Sequence, residues 1–192
     1  MKIISEKIKY LPSTNNPLSA DVYFIDGNEY CYIYDVGNNE YSLSKINKIN
    51  KDKVVILSHY HRDHIGNINK INYHKLYVGE LTYRTIGEDI IDKHSSIIVE
   101  DKFTIQDGVK IEVIHCASPH VDGSLIVNID SEYTLIADLY FARPPFDKIK
   151  AMKMIEALKN IDTKFFVISH QEESKVFEKD KLTIELLDYF SQ

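Results

Sequence analysis

The strongest constraint in this chain is a short apolar run, Val54-Val55-Ile56-Leu57, which leads directly into Ser58-His59-Tyr60-His61-Arg62-Asp63-His64. Four apolar residues in a row, three of them β-branched, read as a strand buried on both faces. A strand end opening into a loop lets side chains converge on a site without disturbing the core. His59 and His61 are two apart, so in an extended segment they project to the same side, and Asp63 and His64 then turn toward a second point. Neutral imidazole and carboxylate are natural ligands for zinc, iron or manganese. Four ligand-type residues in six positions fit a metal site better than a solvated His-rich loop.

The flanking sequence supplies a layered frame for such a site. Residues 20–25 and 29–34 flank a turn at Asp26-Gly27-Asn28, which is a hairpin signal. Further strands are expected at 75–78, 103–106, 110–114, 124–129, 133–137 and 164–168. Two helices are expected. One runs from Asp147 to Ile161, with Asp147 as N-cap and Ile149, Met152, Ile155 and Leu158 at helical spacing. The other runs from Leu182 to Phe190. This mixture predicts an α/β or α+β layered architecture, and 192 residues suit a single domain over 1–192.

Composition narrows the function. Lys and Arg number 23 against 29 Asp and Glu, a net charge of −6. That balance argues against a nucleic-acid partner, because phosphates are met mainly by basic patches. Cys31 and Cys116 lie far apart, with no Cys-x-x-Cys pairing, and read as reduced thiols of a cytoplasmic protein. No signal-peptide core is visible at the N-terminus, and no apolar run approaches the roughly 18 residues of a membrane span. The expected partner is a small-molecule substrate, with no membrane involved; oligomeric state leaves no mark on the sequence.

His-x-His-x-Asp-His after a short apolar strand resembles the pattern of the metallo-β-lactamase fold superfamily, and its remaining elements follow in order. Asp35-Val36-Gly37 supplies the early Asp-x-Gly. Ser118-Pro119-His120-Val121-Asp122-Gly123-Ser124 supplies a third His for the first metal, Asp138 closes Leu135-Ile136-Ala137, and His170 follows Phe165-Phe166-Val167-Ile168-Ser169. Together these elements span most of the chain. The resemblance implies a four-layer αββα sandwich. It implies that His59, His61 and His120 bind one metal, that Asp63, His64 and His170 bind a second, and that Asp138 bridges both. Two divalent ions are implied, zinc first, with iron or manganese as alternatives. Asp63 is also implied as the catalytic group that orients hydroxide or carries a proton to the leaving group. Asp35 is either the acceptor that fixes the tautomer of a ligand His or a turn carboxylate before Gly37.

The departures are Pro119 where the family has Gly before the third His, and Ser169 where the last motif reads Gly-His. His115 ends a strand and competes with His120 for the third position, but Gly123-Ser124 fits His120 better. His74, His94 and His115 read as surface or loop residues, and the spread of the 13 tyrosines reads as strand packing. Tyr140, Phe141 and Arg143 either rim the site, with Arg143 meeting an anionic substrate, or form an ordinary strand-to-helix connection.

The implied activity is hydrolysis of a small ester, thioester or lactone-type substrate. A carboxylate rather than Cys at the bridging position disfavours the di-zinc β-lactamases and fits branches similar to glyoxalase II, lactonases and RNase Z. Three alternatives stand beside it: a phosphodiesterase or nuclease, an iron-dependent oxidoreductase similar to persulfide dioxygenases or flavodiiron proteins, and a non-catalytic metal-binding domain. The nucleases usually carry extra segments that grip nucleic acid. The dioxygenases hold one iron with fewer of these ligands, and the flavodiiron proteins put Glu where His61 stands. About 20 residues follow His170, too few for the helical domain that grips glutathione, so glutathione thioesters are not expected.

Overall fold

In the computed structural model, which describes residues 1–87, 90–91, 95–171 and 175–191, the apolar residues sort into three cores because successive side chains of a strand point to opposite faces. His94 lies outside the described residues. Strands β1 (Lys2–Ile3), β2 (Ile8–Leu11), β3 (Thr14–Asn15), β4 (Leu18–Ser19), β5 (Val22–Asp26) and β6 (Tyr30–Tyr34) precede helix α1 (Glu40–Asn47). Then come β7 (Asp52–Ile56), a single turn α2 (Arg62–Ile65), β8 (Lys75–Val78), α3 (Glu80–Ile86) and β9 (Ser96–Ile98). The second half holds β10 (Lys102–Gln106), β11 (Lys110–Cys116), β12 (Ser124–Ile129), β13 (Tyr133–Ala137), α4 (Lys148–Asn160), β14 (Phe165–Ile168), β15 (Val176–Glu178) and α5 (Lys179–Ser191).

One sheet has the order β1-β2-β5-β6-β7-β8-β9 and the other β10-β11-β12-β13-β14-β15; β3 and β4 form a separate ribbon. Tyr34, Ile56, Leu125, Leu135 and Val167 fill the core between the two sheets. Ile33, Val55 and Leu57 face outward against Ile46 of α1 and Ile86 of α3. Ile126, Ile136 and Phe166 pack against Ala151, Met154 and Leu158 of α4 and Leu186 and Phe190 of α5. The result is four layers, helix–sheet–sheet–helix. It also explains why residues 54–57 are apolar without a break: Val54 and Ile56 enter the inner core while Val55 and Leu57 enter the outer one.

Two buried phenols of the first sheet reach across the inner core. Tyr23 donates to the Ile168 carbonyl at 3.2 Å and Tyr34 to the Leu125 carbonyl at 2.8 Å. Burying an aromatic body while satisfying its hydroxyl is the usual solution for tyrosine in a core. Cys31 and Cys116 are free and buried in different cores, and burial pushes their thiols up to about 11 and about 12.

The helical stripe expected on α4 needs correcting. Ile149 and Met152 are exposed, and the buried set is Ala151, Met154, Ile155 and Leu158. A strict every-third-residue row drifts around a helix of 3.6 residues per turn, whereas the observed i, i+3, i+4, i+7 spacing stays on one face. Asp147 does cap the helix, accepting from the Lys150 amide at 3.0 Å. Among the described residues no helix is long and apolar enough to cross a membrane.

Candidate metal centre

Strands β6, β7 and β8 run parallel, as do β13 and β14. Loops at the carboxyl ends of parallel strands form the natural crevice of such sheets, and here they bring Asp35, Ser58-His59, Asp138 and His170 together. Among the described residues, three of the five non-glycine residues with positive φ belong to this crevice: Asp35 at 58°, Ala137 at 45° and His170 at 59°. Left-handed backbone at such residues costs about 1–3 kcal/mol each and persists only where the surroundings over-determine it.

Helix α2 is one turn long, too short to stand on propensity. Its free carbonyls are taken by the neighbouring chain. Asp63 O accepts from the Ala20 amide at 2.9 Å, and His64 O accepts from Val36 and Gly37 at 2.8 and 3.1 Å. His61, extended at φ −64° and ψ 141°, caps the turn. The Ser58 carbonyl accepts from Leu125 of β12 at 2.8 Å, stitching the His59 strand end to the other sheet.

These supports gather two donor groups. In the first, His61 Nδ1 lies 3.1 Å from His59 Nε2 and 3.0 Å from His120 Nε2. In the second, Asp63 Oδ2 lies 3.1 Å from His170 Nε2 and 3.5 Å from His64 Nε2. Asp138 Oδ2 stands between them, 3.3 Å from His64 Nε2, 3.6 Å from His170 Nε2 and 3.9 Å from His120 Nε2. The ligand atoms within each group all lie within 4.8 Å of one another.

The hydrogen bonds fix which ring nitrogens are bare. Asp35 accepts from the Ser58 amide, the Ser58 hydroxyl and His64 Nδ1–H at 2.8, 2.8 and 2.7 Å. Ser58 has spent its one proton on Asp35, so its oxygen accepts from His59 Nδ1–H at 2.9 Å. His120 Nδ1–H donates to the Phe141 carbonyl at 2.7 Å. The outward nitrogens of His59 and His120 are therefore donors and their bare Nε2 atoms turn toward the centre, while His64, held through Nδ1 by Asp35, faces Asp138 with its Nε2. Burial, reinforced by the neighbouring imidazoles, pushes His59 well below the usual histidine range, and burial also lowers His61 and His120. Burial lowers His64 too, but Asp35 and Asp138 outweigh it and raise that ring to about 10. Burial pushes the Asp138 carboxyl up, yet His64, His170 and His120 outweigh it and hold it below the ordinary carboxylate range. Asp138 Oδ1 is buried and has no hydrogen-bond partner among the described residues. A buried orphan carboxylate oxygen beside converging lone pairs is the donor set of a cation site.

Residues 15–80 match the model of the Metallo-beta-lactamase superfamily, a stretch that includes Asp35 and the His59–His64 cluster. A metallo-β-lactamase from Pontibacter korlensis superposes with a TM-score of 0.74 at 15% identity, over 100% of this chain and 98% of that one. An archaeal metallo-β-lactamase superfamily protein from Sulfolobus tokodaii gives 0.72 at 17% identity over 98% and 87%. The chain has the metallo-β-lactamase superfamily fold. A flavo di-iron protein variant from Thermotoga maritima shares it, with a TM-score of 0.68 at 14% identity, and this chain spans 60% of that protein. No match is found among curated protein sequences.

On this metallo-β-lactamase frame the crevice opens into a cavity of about 510 Å3. Its floor is His61, Asp63, His120, Asp138 and His170, and its walls are Leu18, Pro119, Phe141 and Ala142. Arg143 is the one Lys or Arg on the lining and makes no ion pair or hydrogen bond among the described residues. His115 is exposed and His74 stacks on Tyr30 at 5.2 Å, both away from the donor groups. Pro119 in place of Gly does not displace the loop: Ser118 donates to the Leu139 carbonyl at 2.8 Å and accepts from the His120 amide at 3.0 Å. Two residues with no mark in the sequence reading also bear on the site. Asp21 and Lys175 form a buried pair behind His170, 2.8 Å apart. The only sequence signal nearby is Ser169 in the position where the family has glycine.

Proposed function

We propose that this chain is a dinuclear metal-dependent hydrolase of small ester, thioester or lactone-type substrates, with zinc the first choice of metal. The observation that carries this reading is Asp138, a half-buried carboxylate with one oxygen buried and orphaned among the described residues and the other within 3.9 Å of ring nitrogens from both donor groups. His59, His61 and His120 would hold one ion, Asp63, His64 and His170 the other, and Asp138 both. Ions there would lower the pKa of water from about 15.7 toward 7 and polarise a carbonyl oxygen. His170 and His64 outweigh the burial of Asp63 and hold its carboxyl below the ordinary range, so it is ionised at neutral pH. Its role is to take a proton from the attacking water and return it to the leaving group.

The cavity supports a small substrate, being within the usual range of roughly 300–1,000 Å3 for such sites. One guanidinium beside apolar walls suits a substrate with a single anionic group, not the charged track that a nucleic-acid backbone needs. Free buried thiols suit a reducing compartment such as the cytoplasm. Arg143→Ala is expected to raise KM about tenfold for a carboxylate-bearing substrate while leaving a neutral analogue nearly unchanged, since a hydrogen bond to a charged group contributes about 1.5–3 kcal/mol. Equal effects on both substrates would remove Arg143 from recognition.

The function itself is tested by stripping the protein with a chelator and assaying lactones, thioesters and aryl esters before and after adding back zinc, manganese or iron. Hydrolysis that is lost and then restored by zinc or manganese supports the reading. Turnover that survives complete metal removal, or oxygen consumption with iron in place of hydrolysis, overturns it.

A further inference from the structure

The last motif departs from its family pattern at Ser169, and that residue is part of a buried polar cluster. Ser169 donates its hydroxyl proton to Asp21 Oδ2 at 2.9 Å, and the His170 amide donates to the same oxygen at 2.8 Å. Lys175 Nζ lies 2.8 Å from both Asp21 oxygens. The Ser13 amide donates to Asp21 Oδ1 at 2.9 Å. The side chains of Asp21 and Lys175 are 0% and 4% exposed. A carboxylate is required here: donors approach both oxygens, so an amide would turn its NH2 group toward one of them. The neighbouring residue acts on the same donor group, because the Ala20 amide holds the Asp63 carbonyl at 2.9 Å. Ala20-Asp21 therefore anchors the backbone of Asp63 on one side and of His170 on the other. His170 needs an anchor, for it sits at a left-handed φ of 59° that a non-glycine residue does not hold unaided.

We propose that the Asp21–Lys175 pair is a positioning clamp for His170, which sets the affinity of the second metal group (Asp63, His64, His170) and leaves the first (His59, His61, His120) untouched. A buried ion pair is weak evidence for stability, since its desolvation offsets much of its attraction; it fits better as a device that fixes one conformation of one loop. The inference rests on the dinuclear reading above.

The test is a zinc titration of the chelator-stripped full chain against a competing chromophoric chelator. Wild type is expected to bind two ions. Asp21→Asn is expected to bind the first as wild type does and the second about 10–100-fold more weakly, the usual cost of losing a group that orients a ligand. Asp21→Asn strands a buried lysine charge, so the double variant Asp21→Asn with Lys175→Met, which removes both charges, keeps the question answerable if the single variant does not fold. The same loss is expected there. Combining either with His170→Ala is expected to weaken the second ion no further than His170→Ala alone, whereas combining it with His59→Ala is expected to be additive. A purely structural pair would lower the melting temperature and leave the two-step titration unchanged, and that outcome overturns the clamp. A wild type that binds fewer than two ions overturns the dinuclear reading instead, and the clamp with it.

Discussion

Asp138→Asn is expected to lower kcat by about 10³-fold or more, of the order of removing one preorganised electrostatic group from an active site, and to reduce bound metal from two ions to at most one. The carboxylate sits 3.3 Å from His64 Nε2 and 3.9 Å from His120 Nε2, so its charge faces both donor groups. An amide keeps the shape and removes the charge. If its oxygen takes the shared position, its NH2 group occupies the buried place of Oδ1, which has no hydrogen-bond partner among the described residues. If it turns the other way, it presents N–H groups to a centre that gathers lone pairs. Either orientation disfavours a cation between the groups. The variant should remain folded, because Asp138 lies at a cavity floor rather than within a packed core. His61→Ala should behave similarly through the first group, and exposed His115→Ala should change nothing. Steady-state kinetics on whichever ester, lactone or thioester the wild type cleaves, together with metal content, checks this; near-normal turnover by Asp138→Asn would sink the bridging role.

Asp35→Asn is expected to weaken metal binding about 10–100-fold and to lower the melting temperature by about 3–10 °C, from roughly 1–3 kcal/mol for a buried donor left without an acceptor. Asp35 collects three donors, two from Ser58 and one from His64. An amide satisfies at most one of its two sides. The backbone is not a confounding factor, since asparagine tolerates the left-handed φ of 58° found there. The consequence reaches two rings: Ser58, relieved of Asp35, is free to donate its proton to His59 Nδ1, which disturbs the tautomer that leaves His59 Nε2 bare. Calorimetry and zinc competition on the purified variant test this, and unchanged values in both would reduce Asp35 to a turn residue.

The metal-site chemistry was legible in the sequence because His59, His61, Asp63 and His64, drawn from both donor groups, are crowded onto the end of one apolar strand, and few other pressures produce that pattern. Asp138 and His170 were legible only through their order along the chain, since a lone Asp or His after a strand is otherwise unremarked. The layered frame followed from strand periodicity. The phase of α4 did not, because Ile149 and Met152 are apolar yet exposed and so imitate a core stripe. Helices α1 and α3 are short, and α1 depends on Asn39 accepting from the Ser42 amide at 2.7 Å rather than on a long apolar face. Asp21 and Lys175 were illegible for a different reason. Among 29 acidic and 23 basic residues, a charge that is buried looks like any other until a partner 154 positions away is brought beside it.

Metal per chain, measured by plasma mass spectrometry on the purified and reconstituted protein, tests most directly whether this crevice binds two divalent ions. About two zinc or manganese ions per chain is the result expected from two donor groups sharing one carboxylate. A single iron, or no metal after reconstitution, would contradict it.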